Sequence, residues 1–272
     1  YQTDGAFARW VGNLFENRLY RGFEQFWKRK KFPLAKPTYP MVVLIFENEE
    51  KYYGFVESEF GKGHSMIAHY NLQSNHVAMY DVTASFRAPY QALSDRKLNE
   101  ILQNPAALSV ITTVIHEGTH QLIFNRGLQV RFAETPLWLN EGLATYFETP
   151  NPRSKSGWRE PGVVSSNRLA DFRKSLSNRS PDALQQMLRA DQDFQGEQQE
   201  QVLAAYAQAW SFTHFLLNKY PEKYINYLKH LANKKPLVTD TPEKRLAEFE
   251  LYFGSDWHQL DREFLEYISE LK

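Results

Sequence analysis

The stretch VIHEGTHQLIFNRG, Val114–Gly127, decides how this chain is read. It closes a run from Pro105 to Arg126 with Pro near its start, apolar residues throughout and Gly127 as a stop, which predicts one helix. On that helix His116 and His120 stand one turn apart on one face, close enough for both imidazoles to reach a single ion. Glu117 lies about 100° further round. That is beside such an ion rather than on it, where a base that draws a proton from water has to sit. Gly118, inside the helix, costs roughly 1 kcal/mol against Ala, which suggests close approach of another group. Three polar residues on an ordinary helix would give the same letters by chance. A catalytic zinc normally takes three protein ligands and keeps a fourth position open, so a third ligand is the test.

The segment TPLWLNEGLATYFETP, residues 135–150, supplies one. Thr135 caps and Pro136 starts a second helix, with Leu137, Trp138 and Leu139 for the core. Glu141 follows in its second turn, 21 residues after His120, enough to end one helix, turn, and bring a carboxylate back antiparallel. An unpaired carboxylate inside an apolar stretch is costly, which favours a ligand over an exposed acid near a helix start. Gly142 would let the two helices pack closely.

Composition narrows the classes. The 272 residues are 42% apolar and 15% aromatic, enough for a substantial core. Lys plus Arg equals Asp plus Glu at 32 each, so nothing points to nucleic acid or an anionic membrane as partner. No apolar run approaches the length of a membrane span. With no cysteine, disulfides, thiolate metal sites and a Cys nucleophile are excluded, leaving His, Asp and Glu as metal ligands.

Around this centre, Gly5 to Lys31 carries a helical period of apolar residues and reads as one long amphipathic helix. MVVLIF (41–46) reads as a buried strand, NEEKYYGFVES (48–58) as a short helix, and HSMIAHY and HVAMYDV, around NLQSN, as a hairpin. From Asp95 onward the chain reads as helical, with starts at Thr135-Pro136, Ser180-Pro181, Thr241-Pro242 and Ser255. The expected fold class is α+β. A small N-terminal sheet with its helix (1–104) packs on a mostly helical part carrying the zinc site (105–272), within one catalytic domain. A long loop, Thr149 to Ser166, reads as a surface connection; its Arg153, Lys155, Trp158 and Arg159 would matter for specificity only if it overhung the site.

HEGTH followed by WLNEGLATYFE resembles the gluzincin metallopeptidases, in particular the peptidase-MA-like group, and within it bacterial proteins labelled as a domain of unknown function. The resemblance is specific over Ile111–Phe147 and weaker over GVVSSNRL (162–169) and YAQAWSFTHFL (206–216). It implies a thermolysin-like catalytic core with a cleft between sheet and helical parts, and one zinc held by His116, His120 and Glu141. It also implies Glu117 as general base, and a Tyr at the place of Tyr206 as oxyanion donor, with His214 in reserve. Where some gluzincins place an Asp to orient a ligating histidine, this chain has Thr145, whose hydroxyl is a weaker support.

The expected activity is therefore hydrolysis of peptide bonds by a zinc-activated water. The alternatives are a zinc-holding binding or scaffold protein on the same fold, and a zinc hydrolase of non-peptide amides. His64, His69 and His76 cluster around the hairpin, where exposed strand histidines are the commoner outcome than a second metal site. An edge strand of that hairpin would suit an extended peptide bound by strand addition. The chain opens on Tyr1, and the family's habits suggest an extracytoplasmic location in a bacterium.

Overall fold

Asp4 opens the first helix: its carboxylate accepts from the N–H groups of Ala6 and Phe7 at 2.8 and 3.2 Å, satisfying donors that have no intrahelical partner. The helical path runs through α1 (Gly5–Asn13), a π-helical stretch (Leu14–Tyr20) and α2 (Arg21–Arg29). The computed structural model describes residues 3–61, 66–86, 94–102, 104–149, 161–196 and 198–272. The single regular helix expected over Gly5–Lys31 is thus widened in its middle. Leu14 and Leu19, both buried, are five residues apart, the spacing of a π turn. Phe15 and Leu19 close on α5 (Pro105–Asn125), the helix after α4 (Asp95–Leu102), where a Cβ on Gly118 would come within 2.5 Å of Phe15 and 2.7 Å of Leu19. The mid-helix glycine therefore has the packing reason its position suggests.

The chain forms two compact units, and neither is one continuous stretch. The first takes residues 1–26, 35–126 and 148–161; the second takes 27–34, 127–147 and 162–272.

In the first unit a three-stranded sheet has the order β1-β3-β2, from β1 (Val42–Phe46), β2 (Ala68–Asn71) and β3 (His76–Tyr80). β2 and β3 form the expected hairpin, with Ala68 opposite Met79 and Asn71 opposite His76. The turn is built by Asn71, whose side chain accepts from the N–H groups of Gln73 and Ser74, and by Asn75 at φ 62°. Both are asparagine's ordinary roles in turns. β1 pairs with β3 in parallel and is followed by α3 (Glu49–Phe60), which starts at an Asn48 cap. Phe46, Tyr52, Val56 and Ala78 bury themselves between sheet and helix. On α5, the Gln121 amide donates to the carbonyls of Val42 and Asn75, at 3.0 and 2.8 Å, tying the helix to β1 and to the start of β3. Among the described strands, β2 stands at the edge of the sheet.

The second unit is helical. Its central helix α9 (Gln199–Lys219) is buried at every position from Ala209 to Leu217, as a helix apolar all round should be. α6 (Leu137–Phe147) packs on it, with Trp138 against Phe212 and stacked on Tyr227 at 6.4 Å. Gly142 is a point of close approach: a Cβ there would lie 2.7 Å from the Ala209 carbonyl oxygen and would overlap the Thr213 hydroxyl. The contact it permits is thus with α9, a partner that the sequence did not point to. Gly142→Ala is expected to destabilise the protein by about 3 kcal/mol, because a backbone carbonyl cannot rotate away as a side chain can. That lowers Tm by roughly 6–12 °C, readable by calorimetry.

The helices α7 (Ser166–Ser175), α8 (Ala183–Arg189), α10 (Pro221–Leu231), α11 (Pro242–Phe253) and α12 (Trp257–Glu270) complete the unit. Thr241 caps α11 as expected. Three other starts move. The first N–H of α6 is met by Asp191 rather than Thr135, α8 begins at Ala183, and α12 is capped by Asp256, one residue after Ser255. The fold class is α+β. No described helix is long and apolar enough to cross a membrane.

Candidate metal centre

α5 is apolar along most of its length, so His116, Glu117 and His120 stand out on it. The Nε2 atoms of His116 and His120 meet at 3.1 Å, with the rings nearly perpendicular at 79°. Two nitrogens each about 2.0–2.1 Å from one ion at a tetrahedral angle would be about 3.3 Å apart, so the pair is placed as a shared ion would need it. The Nδ1 of His116 faces the Glu148 carboxylate at 2.9 Å, and both groups are buried. Nδ1 therefore carries the proton and donates it to Glu148, which leaves the Nε2 lone pair for an ion. His116 and His120 lie on α5 in the first unit, and Glu141 lies in the second turn of α6 in the second unit.

Glu117 points elsewhere, as its place on the helix requires. Its Oε2 accepts the backbone N–H of Tyr70, on β2, at 2.8 Å. One carboxylate oxygen is thereby fixed by a donor that has no charge to neutralise it.

Support for the ligands differs from what the sequence suggested. The Thr145 hydroxyl donates to the backbone carbonyls of Glu141 and Gly142, at 2.6 and 3.1 Å, inside its own helix. The residue that backs an imidazole is Glu148. Helical spacing does not single it out, because Glu148 follows the last residue of α6.

Tyr206, on α9, is half-buried, its ring 5.5 Å from that of Phe194 and beneath the Arg168 guanidinium at 5.6 Å. His214 is buried with both ring nitrogens engaged. Nδ1 lies 2.8 Å from the Tyr267 hydroxyl and Nε2 3.3 Å from the Gly162 carbonyl. Burial pushes its pKa down, partly opposed by the bond to Gly162, so the ring is a neutral internal strut. Its reading as the reserve oxyanion donor would require the Nε2–H to leave the Gly162 carbonyl.

Around the hairpin, His64 lies outside the described residues, and so do Arg153, Lys155, Trp158 and Arg159 of the long loop. His69 is buried, with its nitrogens on Tyr52 and Glu59. His76 opens β3 opposite Val42 and Asn71.

A family model described as a protein of unknown function (DUF1570) matches residues 110–238. That span contains His116, Glu117, His120, Glu141 and Tyr206. No curated protein and no solved structure matches the chain.

Proposed function

We propose that the chain is a zinc metallopeptidase of the gluzincin type, acting on peptide or protein substrates. The observation that carries this reading is the 3.1 Å meeting of two Nε2 atoms, one on a ring whose tautomer is fixed by a buried carboxylate. Glu141 is the third ligand in this reading. A zinc ion held by these residues would supply Lewis-acid polarisation of the scissile carbonyl and would lower the pKa of the attacking water. Glu117, steadied by the Tyr70 N–H, takes the proton from that water and returns it to the leaving amine. Tyr206 is the proposed donor to the oxyanion. The outer edge of β2 runs past Glu117, which suits an extended segment laid along it.

A digest of a mixed peptide library with and without chelator tests the activity. Cleavage abolished by chelator and restored by zinc is the expected result; a zinc-loaded protein that cuts nothing would instead leave a metal-holding binding protein. Glu148→Ala is expected to free the His116 ring to take either tautomer. Zinc affinity should then fall by about 10–100-fold, measured by competition with a chelating indicator.

A further inference from the structure

On the reading of Glu117 as general base, we propose that His69 is a positioning residue for it: the His69 ring, locked to α3, holds β2 where the Tyr70 N–H meets the Glu117 carboxylate.

His69 and Tyr70 are neighbours on a strand, so their side chains leave it on opposite faces. His69 goes to α3. Its Nδ1 lies 2.9 Å from the Tyr52 hydroxyl and its Nε2 2.9 Å from Glu59. Phe55 stacks on the ring at 6.2 Å, and Phe60 meets it edge-on at 5.1 Å. Tyr70 goes to α5, stacking on Phe124 at 5.8 Å, while its N–H reaches Glu117.

β2 is four residues long and, among the described residues, has a strand partner on one side, β3. Packing alone would hold such a strand loosely along its own axis. Two hydrogen bonds of opposite sense on one buried ring do more, because each fails if the strand slides. Burial, then the nearby Glu117 charge, push the Tyr52 phenol pKa far up, so Tyr52 remains a donor to Nδ1. Nε2–H then donates to Glu59. An apolar residue at position 69 would fill the space without fixing the register of the next amide.

The test uses the full chain labelled with 15N-tyrosine, with the Tyr70 amide assigned from Tyr70→Phe. In His69→Ala the Tyr70 amide proton is expected to shift upfield and lose exchange protection. Zinc content and KM are expected to stay the same while kcat falls by about 10–100-fold. His69→Gln offers one acceptor and one donor to the same partners and is expected to recover most of both signals. Tyr52→Phe, which preserves the ring and removes the hydroxyl that donates to Nδ1, should move the amide in the same direction and guards against a His69→Ala that does not fold. An unmoved Tyr70 amide in the folded variants would overturn the proposal, as would an unchanged kcat or a change in KM alone. The amide reports on this linkage even if Glu117→Gln retains full hydrolysis, an outcome that would sink the base assignment separately.

Discussion

Glu117→Gln is expected to leave the fold and the metal in place and to lower kcat by roughly 10³–10⁴-fold, the share of a rate that a positioned base supplies. The replacement is nearly isosteric, and its amide oxygen can still accept from the Tyr70 N–H that holds Glu117 Oε2 at 2.8 Å. What it cannot do is take a proton. The loss should therefore fall on kcat with KM little changed, the pattern of an interaction made only in the transition state. Steady-state kinetics on a cleaved peptide, with zinc content measured on the same sample, separate this from damage to the site. Wild-type activity in that variant would remove Glu117 from the mechanism.

His120→Ala is expected to abolish hydrolysis by another route. It removes one of two nitrogens that meet at 3.1 Å and leaves His116 and Glu141, one ligand short of the three a catalytic zinc normally needs. The variant should purify with far less zinc than wild type and show no chelator-sensitive cleavage. His120 is one half-exposed position of the 21-residue α5, which stays packed through its buried apolar residues, so circular dichroism should be close to wild type. Full zinc occupancy in a folded His120→Ala would mean that the ion is held elsewhere.

The contrast between Thr145 and Glu148 shows where sequence reading of this site stops. Helical spacing brings out His116, Glu117 and His120, because positions three and four apart share a face whatever surrounds them. It carries Glu141 only as far as a plausible distance. Backing of the His116 ring is decided by which side chain arrives in three dimensions. Thr145 stands where a supporting residue was expected, yet its hydroxyl is taken by carbonyls of its own helix. Glu148, just past the end of α6, is the residue that reaches the ring.

The fold divides in the same way. The β2–β3 hairpin follows from short apolar runs flanking an Asn-rich turn, whose side-chain bonds are local. The π stretch at Leu14–Tyr20 does not, because it is set by how Phe15 and Leu19 meet Gly118 on another helix. The glycines signalled close approach correctly, but a missing Cβ does not name its neighbour, and for Gly142 that neighbour is α9. The cap of α12 slipped by one residue because the adjacent Ser255 and Asp256 can bond the same N–H groups, whereas that of α6 moved to a residue distant in sequence, Asp191.

The most direct test of the central claim is zinc-edge X-ray absorption on the purified protein. Three ligands from His116, His120 and Glu141 predict a shell of nitrogen and oxygen at about 2.0–2.2 Å, with the outer-shell scattering of two imidazoles. A protein that binds no zinc, or a zinc whose spectrum contains no imidazole, would contradict it.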